Sequence, residues 1–268
     1  RGVAFKVPAN EWKLDITNGT VIGDTSGYKP VNGVIEVAAG GYLNVHGTTT
    51  IKNKGAETNG VNAPSIMVHG SSTGSGTVRG VAEISGDKNS DFGSLFISGG
   101  DVKVNGGTYH HAMVTYGGRL TVSTGRFTGD VTVKTNAWFY AGSSQAYFDG
   151  TVTINSDGGA TLDGGNYKHL KVDGGRTLGS FMPNTLDMFK MGDVYLPHAR
   201  NEAELTAGED EYITIVRHTQ HEYDEKGICS ICNTQAEAKL YPEDGNYNIY
   251  EYGTIWQMLE KAQNTLGS

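Results

Sequence analysis

Gly-Gly-Thr-Tyr (106–109), Thr-Gly-Arg-Phe (124–127), Gln-Ala-Tyr-Phe (145–148) and Gly-Gly-Asn-Tyr (164–167) are four versions of one short segment. The aromatic residues that end them, Tyr109, Phe127, Phe148 and Tyr167, are 18, 21 and 19 residues apart. A repeat of about 20 residues is typical of a solenoid, in which one repeat cannot bury its apolar side alone and stacked neighbours complete a common core. We therefore expect the four aromatic rings to be aligned.

A short run of apolar and polar residues in alternation follows each of these aromatic residues. The four runs are 113–115, 131–133, 152–154 and 170–172. Alternation over three to five residues is the pattern of short, half-buried strands. The sequence therefore predicts an all-β fold, a parallel β-helix whose coils are short strands joined by turns.

Composition limits the classes of function. The chain has 268 residues, of which 39 are Gly without a period of three, so the glycines indicate recurrent turns rather than collagen. The net charge of −8 argues against a nucleic-acid partner, whose phosphates would be repelled. No apolar stretch approaches the roughly 18 residues of a membrane span. The absence of an initiator Met and of a signal peptide suggests a portion of a longer protein.

The pattern changes near residue 179. An irregular apolar cluster over 179–200 predicts a cap on the open end of the solenoid. We expect one domain over 1–200, the β-helix with this cap, and a small α+β module over 201–268. In that module 212–217 reads as a strand, and apolar residues spaced as on one helix face predict an amphipathic helix from Ile255 to Ala262. The Gly- and Ser-rich segments 54–62 and 71–76 are expected to be loops that project from the coils.

The strongest local motif is a pair of histidines followed by a pair of cysteines. His218, His221, Cys229 and Cys232 have the spacing H-x2-H-x7-C-x2-C. Two imidazoles and two thiolates complete a tetrahedral Zn²⁺ site, which predicts a structural zinc ion in a small ribbon. A small disulfide, free thiols and a redox dithiol are the alternatives.

A second candidate site consists of polar turn residues that follow the repeated aromatic residues, namely His110, His111, Asp130, Asp149, Lys168 and His169. If the coils stack in register, these residues lie within one or two strand spacings of one another and could bind an anion, a sugar or a metal. The alternative is a solvated turn edge. Six further aromatic residues could form a platform on which a sugar stacks, with one or two exposed: Tyr28, Tyr42, Tyr116, Trp138, Tyr140 and Tyr147.

No catalytic motif has its required context. The sequence has no paired carboxylates at an active-site spacing, no nucleophile elbow and no phosphate-binding loop. An enzyme remains an alternative because solenoids can bring Asp, Arg and Lys together from neighbouring coils, where linear spacing does not reveal them.

The segment from His221 to Asn233, with 236–238 and 247–262, resembles a unit common in large surface proteins of Gram-positive gut and mucosal bacteria. In that unit the motif H-x-Y-D-x-x-G-x-C-x-x-C-G precedes a strand and an amphipathic helix, which lead into a right-handed β-helix of the pectin-lyase-like class. His221, Cys229 and Cys232 match its metal-ligand positions. His218 stands where the unit usually has Cys or His, and Asn233 replaces the usual Gly.

The resemblance implies an extracellular protein, secreted or attached to the cell wall, in which this chain is a monomeric module of a larger multi-module chain. We expect a non-catalytic, adhesin-like module that presents a rigid β-helix face to a host protein, such as immunoglobulin or mucin, or to a glycan. The alternatives are a polysaccharide lyase or glycoside hydrolase on the same scaffold, and a structural spacer. The resemblance implies no catalytic residue.

Overall fold

The computed structural model describes residues 5–24, 33–54, 63–73, 76–155, 157–184, 187–218, 221–224, 226–231, 236, 238–240, 251–253 and 255–266. Most of these residues form strands, which are numbered in chain order. They are β1 (Phe5–Val7), β2 (Lys13–Gly23), β3 (Ile35–Val37), β4 (Tyr42–Asn53), β5 (Ile66–Thr73), β6 (Gly76–Arg79), β7 (Val81–Gly86), β8 (Leu95–Ser98), β9 (Asp101–Tyr109), β10 (Ala112–Thr115), β11 (Arg119–Phe127), β12 (Val131–Val133), β13 (Trp138–Ala141), β14 (Ala146–Asn155), β15 (Gly159–Leu162), β16 (Asn166–Asp173), β17 (Asp187–Met191), β18 (Val194–Leu196), β19 (Glu204–Thr206), β20 (Ile213–Arg217), β21 (Ala238–Leu240) and β22 (Glu251–Gly253).

Parallel pairing links these strands in three series, one for each side of the coil. The first side contains β1, β3, β5, β8, β10, β12, β14 and β16. The second contains β2, β4, β7, β9, β11, β13 and β15. The third includes the C-terminal part of β11 and the N-terminal parts of β14 and β16. The result is a mostly parallel, nearly closed sheet of solenoid type, which is compatible with the predicted β-helix.

Inward side chains of successive coils stack in rows. On the first side the register passes through residues that are all 0% exposed: Ile35, Ile66, Leu95, Ala112, Val131, Val152 and Leu170. Each coil adds about 4.8 Å along the axis of the solenoid. The lumen is therefore a continuous apolar core, which stabilises the coils by about 25 cal/mol for each Å² of apolar surface removed from water.

The aromatic residues of the repeat form a buried ladder inside this core. Ring centroids of Tyr109 and Phe127 are 4.8 Å apart, those of Phe127 and Phe148 5.5 Å, and those of Phe148 and Tyr167 4.9 Å. All four residues are 0% exposed. The predicted alignment is confirmed, and Phe92, which the sequence analysis did not identify, extends the ladder at 5.1 Å from Tyr109.

The two tyrosines of the ladder retain hydrogen bonds in the core. The hydroxyl of Tyr109 donates to the carbonyl of Gly106 (3.0 Å), and that of Tyr167 donates to the carbonyl of Gly164 (2.7 Å). Burial raises the pKa of both hydroxyls, so they remain protonated donors. Gly106 has φ +132°, and a Cβ there would lie 2.1 Å from the carbonyl oxygen of Gly86. The turn that precedes Tyr109 therefore requires glycine.

The parallel stack ends in antiparallel strands. β19 and β20 pair with β16, β17 pairs with β18 and β20, and we call β17 to β20 the antiparallel end. Apolar residues of this end and of the preceding 3₁₀ turn (Leu178–Phe181) belong to the same buried cluster as the lumen, including Phe181, Phe189 and Ile213. Phe181 and Phe189 of the predicted cap segment therefore pack in the same core as the coils, while the cap itself and the division of the chain at residue 200 stay predictions.

Two segments lie outside the regular coils. Residues 71–73 and 76, predicted as part of a loop, instead lie in the antiparallel hairpin β5–β6. Residues 55–62 of the other predicted loop lie outside the described residues. Near the C-terminus, β21 and β22 pair and α1 (Ile255–Leu266) follows, as the amphipathic pattern predicts. Among the helices in the described ranges, none has the length and apolar character needed to cross a membrane.

Candidate metal centre and surface grooves

A tight turn brings the cysteine segment back to the two histidines. The carboxylate of Asp224 accepts hydrogen bonds from the backbone amides of Lys226 and Ile228, both at 2.9 Å. Gly227, at φ +74°, donates its amide to the carbonyl of Asp224. An antiparallel bridge between Tyr223 and Cys229 follows. These contacts therefore position Cys229 beside the histidines.

Three of the four predicted metal ligands converge. The ligand atoms of His218, His221 and Cys229 all lie within 4.8 Å of one another. Nε2 of His218 is 3.4 Å from Sγ of Cys229, and the two imidazole rings are perpendicular, with centroids 4.7 Å apart. A tetrahedral zinc ion would hold a nitrogen and a sulfur ligand about 3.6 Å apart. These residues can therefore hold a metal ion. Cys232, the fourth predicted ligand, lies outside the described residues.

The metal centre packs against the antiparallel end. His218 directly follows β20 and is only 5% exposed. Its ring lies 5.4 Å from that of Tyr195 on β18. On the other side, the ring of His221 stacks with that of Tyr223 at 5.6 Å. A metal ion bound here would fasten residues 221–231 to the end of the solenoid.

The first three predicted turn residues brace neighbouring coils. Nδ1 of His111 accepts a hydrogen bond from the backbone amide of Asp130 (2.9 Å), and the carboxylate of Asp130 accepts one from the amide of Thr151 (2.9 Å). His110 lies 3.8 Å from the carboxylate of Asp91. His111 and Asp130 thus form a chain of side-chain to backbone contacts from coil to coil.

Lys168 and His169 connect the coils to the antiparallel end. The ammonium group of Lys168 donates to the carbonyls of Gly208, Glu209 and Glu211 at 3.2, 2.5 and 2.6 Å. The imidazole of His169 bridges Thr151 at 3.1 Å and Glu204 at 2.6 Å. Both side chains therefore hold the β19–β20 segment on the last coils.

Asp149 is the centre of a polar cluster that the sequence did not reveal in full. Its carboxylate binds Nε of Arg126 at 2.6 Å and accepts a hydrogen bond from the hydroxyl of Tyr212 at 2.7 Å. The hydrogen bond to Asp149 raises the pKa of Arg126, and burial, followed by Asp149, raises the pKa of Tyr212. The ring of Tyr212 also packs edge-on against Tyr147 at 5.6 Å.

These contacts surround an open groove of about 650 Å³, which we call the Asp149 groove. Four of the six predicted turn residues line it, namely Asp130, Asp149, Lys168 and His169, whereas His110 and His111 do not. Arg126 and Tyr212 line it as well. Tyr212 directly precedes β20, which returns antiparallel to β16, so no repeat spacing connects it with the other residues.

A second groove, of about 570 Å³, lies on the second side of the solenoid, and we call it the Trp138 groove. It is lined by Arg79, Gly117, Arg119, Thr121, Asn136, Ala137, Trp138 and Tyr140. Four of the predicted platform aromatics are exposed, more than the one or two expected: Tyr42, Tyr116, Trp138 and Tyr147. Tyr140 is half-buried, and Tyr28 lies outside the described residues.

Comparison with known proteins yields no family model that matches the sequence. No curated protein and no solved structure is significantly similar to the chain. The fold and the geometry of the cluster define the class, a parallel β-solenoid-like protein in which His218, His221 and Cys229 lie close enough to hold a metal ion.

Proposed function

We propose that this chain is a non-catalytic, adhesin-like binding module of a secreted or cell-surface bacterial protein. Its solenoid, taken as a right-handed β-helix of the pectin-lyase-like class, would present one face to a host protein such as immunoglobulin or mucin, or to a glycan. The proposal places the module outside the cell, as a monomeric unit of a longer chain.

The observation that carries the proposal is the exposure of large aromatic side chains on a scaffold with a rigid core. Trp138 is 47% exposed and Tyr42 is 42% exposed, and both lie in one outward row of the second side. Tyr and Trp bury much area at little cost in conformational entropy, which is why they are enriched where proteins bind partners. A face that is fixed by the lumen behind it also loses little entropy on binding.

Direct binding measurements test this function. The purified chain, immobilised on a sensor, is exposed to immunoglobulins, mucins and a glycan panel, with micromolar or tighter binding of at least one class expected. Binding should survive Asp130→Asn and Asp149→Asn, because the proposal uses no catalytic carboxylate. Retention of none of these ligands would contradict a binding module and favour the structural spacer.

A polysaccharide lyase or glycoside hydrolase is the second candidate, and the composition of the Asp149 groove favours it. Carboxylates, a guanidinium, an ammonium group, an imidazole and a tyrosine meet there. Incubation with uronate-containing and neutral polysaccharides would reveal such an activity as new reducing ends or unsaturated products. Activity that Asp149→Asn and Tyr212→Phe abolish would establish the enzyme, and its absence on all substrates would remove it.

For the metal centre we propose a structural Zn²⁺ held by His218, His221, Cys229 and Cys232 in a zinc-ribbon-like module. Support comes from the mixed imidazole and thiolate donors, which suit zinc, and from the 3.4 Å separation of Nε2 of His218 from Sγ of Cys229. Four protein ligands would close the coordination sphere, so the ion would stabilise rather than react. Elemental analysis of the purified chain should give about one zinc per chain. Less than about half an equivalent of zinc per chain, measured on protein whose thiols are intact, would contradict the proposal.

A further inference from the structure

The Trp138 groove combines an aromatic surface with a cation in a fixed arrangement. Arg119 and Trp138 are register partners on the adjacent strands β11 and β13, and Thr121 and Tyr140 are partners two residues further along. Adjacent strands are about 4.8 Å apart, and residues two apart on a strand are about 6.6 Å apart. The Cα atoms of these four residues therefore outline a patch of the sheet that is about the size of one sugar ring.

The indole of Trp138 is held in place by the neighbouring coil. Its six-membered ring lies against Gly159, its register partner on β15, where a Cβ would be only 1.9 Å from Cε3 of the indole. Almost half of the residue nevertheless stays exposed to solvent. An aromatic ring fixed against the backbone, with open surface left over, suits stacking against the C–H face of a pyranose, because the electron-rich face of the ring attracts those hydrogens.

The charges in this groove favour an anionic ligand. Nη1 of Arg79 donates to the carbonyl of Gly99 at 2.8 Å and lies 3.3 Å from the carboxylate of Asp101, so this guanidinium serves the scaffold. The same carboxylate oxygen is 4.0 Å from Nε of Arg119, whose side chain is 58% exposed. Two guanidinium groups thus share one carboxylate, which leaves local positive charge on a chain of net charge −8. An exposed guanidinium forms paired hydrogen bonds with carboxylate and sulfate groups.

We propose that the Trp138 groove binds a saccharide that carries a carboxylate or sulfate group, with its ring on Trp138 and its anionic group on Arg119. The inference rests on the proposed binding function and specifies the ligand class and the site. Tyr140 and Thr121 supply hydroxyl groups to the sugar hydroxyls. The groove volume of about 570 Å³ accommodates a short oligosaccharide rather than a protein surface.

Calorimetric titration tests the site with defined probes: sialyllactose, an oligogalacturonate and a heparin-derived tetrasaccharide, with lactose and a neutral cello-oligosaccharide for comparison. At least one acidic probe should bind about tenfold or more tightly than the neutral sugars, and added salt should weaken the binding. Trp138→Ala should reduce the affinity for that probe by about tenfold or more. Arg119→Gln should remove the preference for acidic over neutral sugars.

Three variants separate a specific effect on the site from general effects on the protein. Gly159→Ala keeps the indole but displaces it, so the affinity should fall although no groove side chain is lost. Trp12→Ala and Lys171→Gln are matched controls on the first coil and on β16, and both should leave the affinity unchanged. Unchanged melting temperatures would show that each variant is folded.

The outcomes distinguish this inference from the function on which it rests. Failure of all acidic probes to bind, or full binding by Trp138→Ala, overturns the saccharide site. If the chain then still binds immunoglobulin or mucin protein, the binding module stands and its ligand is a protein. If it retains no ligand of any class, the binding function fails together with the site.

Discussion

The regular coils from β10 to β16 and the candidate metal centre around His218, His221 and Cys229 are stabilised in different ways. In the coils, every winding adds aliphatic side chains and at least one aromatic ring to a lumen that is 0% exposed at most positions. Around the metal centre, the fold depends on a turn braced by Asp224, on ring contacts and on three converging ligand atoms. Apolar burial is distributed over many neighbours, whereas a metal centre concentrates its stabilisation at one point. The two regions should therefore respond to different perturbations.

Removal of the proposed metal ion should have the largest local effect. Because structural zinc sites have apparent binding free energies of ~10–16 kcal/mol, a chelator or Cys229→Ser should abolish hydrogen-exchange protection over 221–231. The coils over 112–173 should keep theirs. Exchange followed by mass spectrometry measures both regions in one experiment, with His198→Ala as a control outside the cluster. Equal protection with and without chelator would mean that no ion stabilises this segment.

Truncation of a ladder ring should have the largest effect on the coils. Phe127 contacts a ring on each side, at 4.8 and 5.5 Å, so Phe127→Ala should lower the free energy of unfolding by about 3–5 kcal/mol. Trp138→Ala, which removes an aromatic residue that is 47% exposed on the same coils, should lower it by clearly less, about 1 kcal/mol. Urea denaturation compares the two variants. Similar losses for both would argue against a ladder in the lumen.

Loss of the polar contacts that hold the antiparallel end on the coils should lower the free energy of unfolding by an intermediate amount. Asp149→Ala leaves Arg126 and Tyr212 without their shared carboxylate and should cost about 1–3 kcal/mol. Exchange protection should decrease first over 204–217, next to the contacts of Tyr212. Asp173→Ala, a partly exposed carboxylate paired with Lys171 at 3.5 Å, is the matched control and should have little effect. Uniform loss of exchange protection along the whole chain would contradict a local role of Asp149 in holding the antiparallel end on the coils.

The smallest expected effect concerns pH. Burial lowers the pKa of His69 below its ordinary value of 6.5, with an opposing contribution from Glu36. Below about pH 6.5 the unfolded chain binds this proton more readily than the folded chain, so stability should decrease as the pH falls from there towards the lower folded pKa. His69→Gln should remove this component, which chemical denaturation at pH 7 and pH 5.5 would detect. An identical pH dependence in both proteins would exclude His69 as its source.

The part of the fold that the sequence predicts is the part that repeats. Tyr109, Phe127, Phe148 and Tyr167 occupy equivalent positions in coils of nearly equal length, so their spacing alone reveals the ladder. Phe92 escapes notice because Asp-Phe-Gly at 91–93 lacks the small residue, Gly or Ala, that stands two positions before each of the other four aromatic residues. The hairpin β5–β6 was expected as a loop because its Gly- and Ser-rich segment has weak strand propensity, and tertiary context overrides that propensity.

The candidate sites show a similar contrast. Site residues that are close in the sequence can be predicted, whereas those that only the fold brings together cannot. The His and Cys spacing identifies His218, His221 and Cys229 because the ligands are close in sequence and a single turn joins them. Arg126 and Tyr212 could not be assigned to the Asp149 groove, since the antiparallel return of β20 brings residue 212 to Asp149 across 63 positions of the chain. Arg119 and Trp138 become neighbours only through the strand register, which the sequence pattern does not fix to the residue.

The central claim, that successive coils stack at a constant spacing, is tested most directly by distances between spin labels. One outward row on the first side contains Lys6, Met113, Thr132, Thr153 and Lys171. Along this row, Met113 is four coils from Lys6, and each of the next three residues is one coil further, so that Lys171 is seven coils away. With one label at Lys6, electron–electron distances should increase by about 4.8 Å per coil, from about 19 Å at Met113 to about 34 Å at Lys171. Distances that do not rise in near-equal steps, as in a two-sheet sandwich, would contradict the stacked solenoid.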